Sequence, residues 1–96
     1  MGMQFNARTA LDTFVGETVD MGSSTADCLI RDADLLPYTT GEGWLDGQCT
    51  PRQALDGLAK WVDGHPDPLI CHRMGELAKL CQAALRAGPD VVITWG

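Results

Sequence analysis

The chain has 96 residues, 45% of them hydrophobic, and a formal net charge of −6. That length suits one domain with one core, so residues 1–96 are read as a single domain. The acidic balance argues against direct nucleic-acid binding, and no apolar run approaches the roughly 20 residues that span a bilayer.

Met3-Gln4-Phe5 reads as a lead-in or a very short strand. From Asn6 or Thr9 onward, Ala10, Leu11, Phe14, Val15 and Val19 recur at helical spacing, which predicts a first short helix weakened by Gly16. Ser24-Thr25-Ala26-Asp27 resembles a capping box with aspartate in place of glutamate. Ala26, Leu29, Ile30, Ala33 and Leu36 then predict a second short helix that ends at Pro37. Residues 38–49 hold three glycines and the pair Trp44-Leu45, and read as a loop with an aromatic anchor.

Two stronger helices follow. Thr50-Pro51 supplies an N-cap and a first-turn proline, and Ala54, Leu55, Leu58, Ala59 and Val62 share one face. Asp56 and Lys60 stand four apart on the other face, a spacing that pairs opposite charges. Asp67-Pro68 starts the second helix, which carries Ile70, Met74, Leu77, Ala78, Cys81, Ala84 and Leu85 on a stripe, with Leu69 and Leu80 off it, until Gly88-Pro89. Helices over about 51–63 and 68–87, joined by a short turn, are expected to pack antiparallel and to form the core. Val91-Val92-Ile93-Thr94-Trp95 reads as a strand that needs a partner, which Met3–Phe5 or part of residues 38–48 could supply; the alternative is a tail extended across the helices. The expected class is therefore mainly α: a helix hairpin with two shorter N-terminal helices and a short C-terminal strand, α+β only if that strand is paired.

Charge is unevenly placed. Residues 1–48 hold Arg8 and Arg31 against eight carboxylates, while residues 49–96 hold five charges of each sign. Asp20, Asp27, Asp32, Asp34, Glu42 and Asp46, with Trp44 as an aromatic contact, form the candidate partner-binding set. Their natural partner is a protein with a basic surface. Solubility alone is the plainer account of such a face.

Catalytic signals are weak, and no catalytic residue, metal or cofactor is assigned. Cys28, Cys49, Cys71 and Cys81 show no closely spaced ligand pair, and without a secretory leader they read as free thiols. Asp63, His65, Asp67 and His72 are the best constellation for a small metal-dependent enzyme, yet capping and turn roles account for most of them. Asp32-Ala33-Asp34 lacks the rest of a calcium loop. The reading is of a non-enzymatic, soluble, cytoplasmic protein.

In type, such a chain resembles the small acidic proteins that phages and mobile elements make to disable a host machine, anti-CRISPR proteins among them. The likeness rests on size and charge and gives no residue a role. It implies a protein–protein inhibitor that occupies a basic surface of a host protein. An immunity protein or antitoxin against a basic toxin is the neighbouring reading, and an enzyme around His65 and His72 the alternative of another class.

Overall fold

The computed structural model of the chain describes residues 2–40 and 46–96. Strands form at the start, where helical spacing predicted a helix. Met3, Phe5 and Ala7 alternate with Gln4, Asn6 and Arg8, and this period of two makes strand β1 (Gly2–Arg8), with the first three side chains buried. Thr9 turns the chain by donating its N–H to the Thr13 carbonyl at 2.8 Å, and Asp12 adopts a left-handed φ of 64°. Strand β2 (Phe14–Gly22) returns antiparallel to β1. Leu11 and Phe14, expected on a core-facing helical stripe, are exposed at the hairpin. Gly16 sits at φ 72° near a register break in the β1–β2 ladder, so the residue that would weaken a helix marks a bulge.

Helix α1 (Ser23–Asp32) follows directly. It begins after Gly22 with no side-chain cap, so the expected box at Ser24 does not form. Ala26, Leu29, Ile30, Ala33 and Leu35 are buried, while Leu36 opens a short 3-10 turn and faces outward. Strands β3 (Thr39–Thr40) and β4 (Asp46–Cys49) come next. Helix α2 (Pro51–Leu58) runs into a 3-10 turn over Ala59–Trp61, and helix α3 spans Pro68–Ala87. Their caps are made by the residues that predicted them. Gln53 N–H donates to Thr50 Oγ1 at 3.1 Å while Gln53 Oε1 accepts from Thr50 N–H at 2.9 Å. Asp67 Oδ1 accepts from the N–H groups of Leu69 and Ile70 at 2.9 and 3.3 Å.

Strand β5 (Val92–Trp95) inserts between β1 and β4, antiparallel to both. Among the described residues, the result is a five-stranded antiparallel sheet in the order β2-β1-β5-β4-β3, with three helices. This corrects the mainly helical class: the fold is α+β, and the helix hairpin is one layer over a sheet. The reason is that the two ends of the chain are each other's backbone partners. Gln4 N–H donates to the Gly96 carbonyl at 3.0 Å, and Asn6 faces Thr94 in register. A local window cannot show such a pairing.

The core is accordingly shared. Phe5, Leu29, Ile30, Leu35, Leu77 and Ile93 are all fully buried, and they come from strands, helices and a connection alike. Leu80, off the main stripe of its helix, is buried close to Gly16 of β2, whereas Leu69 is exposed. The Trp95 ring lies 5.6 Å from the Phe5 ring and covers Gly47, where any Cβ would stand 2.0 Å from it. Burial alternates along β1 and β4, so the helices cover one face of the sheet. The other face presents Gln4, Asn6, Gln48 and Thr94, and no described helix lies on it.

Candidate functional site

The acidic residues singled out from the sequence separate into three groups. Asp20 and Asp46 are exposed on the uncovered sheet face, because Asp20 faces Gln4 in register and Asp46 lies two residues from outward-facing Gln48. Three intervening strand spacings put β2 and β4 about 14 Å apart. Neither carboxylate has an ion-pair partner among the described residues. Asp27, Asp32 and Asp34 sit on α1 or just after it, and each engages a group of this chain. Asp27 accepts from Arg31 Nε at 2.8 Å, and Asp34 pairs with Lys60. The i,i+4 spacing of Asp56 and Lys60 is therefore not the pair that forms. Glu42 and Trp44 lie outside the described residues.

Asp32 anchors a polar cluster with Trp61 and His65. His65 Nδ1 accepts from the Asp67 N–H at 3.0 Å, which fixes the proton on Nε2, and Nε2–H donates to Asp32 Oδ2 at 2.7 Å. The His65 side chain is 9% exposed, and its ring packs 4.5 Å from that of Trp61. Trp61 Nε1–H in turn donates to the Asp32 backbone carbonyl at 3.0 Å. The cluster ties the link between α2 and α3 to the C-terminus of α1. Both ring nitrogens of His65 are used by this chain. His72 stands on α3, 3.7 Å from Glu76, so the two histidines answer to different neighbours. Among the described residues, no three His, Cys, Asp or Glu side chains gather as a metal site would need.

All four cysteines are free. Burial pushes the thiols of Cys49 and Cys81 up from 9.0 to about 12, with the nearby Cys49 adding to the effect at Cys81. They are protonated and packed, the state in which a thiol is a poor nucleophile. Cys71 and His72, adjacent in sequence, diverge. Cys71 lines the space between α2 and α3, and His72 lines a cleft between α3 and β2.

That space between α2 and α3 is an apolar groove of about 410 Å³, which sequence reasoning did not foresee. Leu58 and Met74 form its buried floor. Leu55, Ala59 and Val62 form one wall, and Cys71, Gly75 and Ala78 the other. Val62 is 82% exposed. The signal was present: Gly75 stands in the middle of a strong helix, where glycine costs up to about 1 kcal/mol relative to alanine. No helix among the described residues is long and apolar enough to cross a membrane. No protein-family model, curated protein or solved structure matches this chain.

Proposed function

We propose that the protein is a binding module that occupies a basic surface on another protein. The observation that supports this reading best is the uncovered sheet face, where Asp20 and Asp46 stand exposed, without ion-pair partners among the described residues, beside neutral amides and hydroxyls and one cation, Arg8, which pairs with Asp12. Such a face offers hydrogen-bonding groups to a partner without first breaking an internal ion pair. Its carboxylates favour lysine and arginine opposite them, and their field speeds the encounter. The net charge of −6 acts in the same direction. This is how a small inhibitor of the phage or mobile-element type would block a nucleic-acid-binding surface of a host machine, by presenting carboxylates where phosphates bind.

Affinity capture of a partner, followed by titration of that partner at two salt concentrations, tests the reading. Asp20→Lys with Asp46→Lys is expected to weaken binding about tenfold or more, and rising salt to slow association, since exposed charges are screened within about 10 Å at 0.1 M. Asp56→Lys with Asp63→Lys, on the helical side, is expected to change it much less. Salt-insensitive affinity, or equal losses from both pairs, would overturn the sheet face as the binding surface.

A further inference from the structure

We infer that the partner docks at the free edge of β2, and that the docking segment is an extended, lysine- or arginine-bearing strand that adds to the sheet. This deepens the reading of a basic partner, on which it rests for the sign of the charge. Gln4 exchanges two backbone hydrogen bonds with Gly96, just past β5, at 3.0 and 3.3 Å. Backbone groups alternate sides along a strand, so Met3 and Phe5 turn theirs toward Met21 and Val19 of β2. Thr18 and Asp20, on either side of Val19, therefore aim their N–H and C=O groups out of the sheet. Among the described residues, no strand lies beyond β2, and no backbone hydrogen bond reaches Thr18 or Asp20 from another element. Thr40 and Asp46, which flank the undescribed residues 41–45, stand on β3 and β4 at the opposite side of the sheet.

The open stretch has defined ends. The register shift between Phe5–Val19 and Ala7–Val15 bulges the first part of β2, and Gly22 leads straight into α1. Thr18 to Gly22 remains, about 17 Å of strand at 3.4 Å per residue. Edges are commonly blunted by lysine or proline, and this stretch has neither. A cleft of about 520 Å³ opens beside it, lined by Thr18 and Val19 from the strand and by α3, with no residue of β1. An added strand thus has room beneath it. Its side chains opposite Val19 point toward Leu80 of α3, and those opposite Thr18 and Asp20 extend the uncovered face.

Charge selects the segment. The cleft side holds both signs, Glu17 and Glu76 with Lys79 and His72. On the outer side Asp20 is exposed, without an ion-pair partner among the described residues. A residue directly opposite Asp20 on an added strand stands about 5 Å away, where lysine or arginine is favoured and a carboxylate is repelled. A second copy of this chain would bring a net charge of −6 to a surface of the same sign, and fits less well.

The test uses an acetylated, amidated heptapeptide of alternating lysine and valine. It is titrated into the isotope-labelled full chain and followed by amide NMR, with affinity from fluorescence anisotropy. The amide signals of Thr18 and Asp20 should move and exchange more slowly with solvent. In this register the lysine N–H groups bond to the edge and the valine N–H groups face away. N-methylating the lysines should therefore weaken binding at least about tenfold, and N-methylating the valines less than about threefold. This pair needs no variant to fold. Asp20→Pro removes one outward N–H and spares the β1 ladder, a position where edge strands accept proline. It should weaken the peptide further than Asp20→Asn, which removes the charge alone. No saturable binding, or equal affinity of the two methylated peptides, would overturn the edge site. Shifts confined to Gln4, Gln48 and Thr94 would overturn it too, while leaving the sheet face to a basic partner. Equal binding of a peptide with glutamate in place of lysine would overturn the basic occupant and keep strand addition. A protein that is dimeric without peptide, and that Asp20→Pro makes monomeric, would give the edge to a second copy and overturn the partner strand.

Discussion

Helix α2 makes two contacts of opposite character. Toward α1 it is closed: a Cβ at Gly57 would stand 1.8 Å from the Ala33 carbonyl oxygen, so the backbones meet with no side chain between them. The junction is sealed at its polar end by Asp32, Trp61 and His65. Toward α3 the same helix leaves a groove, with Gly75 facing empty space on the far wall. Both contacts use a glycine on a helix, for unrelated reasons. One glycine allows this chain to pack on itself, and the other leaves room that the described residues do not fill. Counting glycines or apolar positions cannot separate the two cases; the identity of the nearest atoms does.

Gly57→Ala should break the closed side with the largest effect. The clash is with backbone, which cannot rotate away, so a loss of about 3 kcal/mol or more is expected in denaturant unfolding. A loss under about 1 kcal/mol would mean that the α1–α2 contact yields easily. His65→Ala attacks the same junction from its polar end. It removes the hydrogen bonds to the partly exposed Asp32 carboxylate and the exposed Asp67 N–H, which water can replace, and takes packing from Trp61, so about 1 kcal/mol should be lost. Lys60→Ala marks the surface limit of the junction. Its ion pair with Asp34 is largely solvated, so about 0.5 kcal/mol or less should be lost.

The sequence carried the helices that end in local chemistry. Thr50 with Gln53, and Asp67 before Pro68, announce two helix starts through hydrogen bonds made within a few residues. The sheet was legible only at the C-terminal strand and its candidate partners, and the rest was hidden for the opposite reason. β1 owes its state to β2 and to β5 at the other end of the chain, and the apolar residues at 10, 11, 14 and 15 imitate a helical stripe across what is a hairpin. The candidate site divides in the same way. Exposure of Asp20 and Asp46 follows from charge, whereas the capture of Asp34 by Lys60 and of Asp32 by His65 joins residues far apart in sequence. The groove left one local trace, a glycine inside a helix of otherwise good formers.

The thiols sharpen the contrast between closed and open regions chemically. Alkylation should reach exposed Cys28 first and Cys71 on the groove wall next, and Cys49 and Cys81 only as the protein unfolds. Burial holds these last two protonated in the folded state. Their contribution is fully present below the ordinary thiol value of 9.0 and is lost as pH rises toward about 12. Stability should therefore fall across that window. Replacing both with alanine should flatten the fall, apart from a smaller baseline stability.

The most direct test is denaturant unfolding of Gly75→Ala beside the wild type. An empty groove wall predicts a gain of about 0.5–1 kcal/mol, the helix-propensity difference alone, in the same assay where Gly57→Ala loses several times as much. A loss of about 1 kcal/mol or more from Gly75→Ala would mean that this chain itself fills the groove, and would contradict the division into a closed side and an open one.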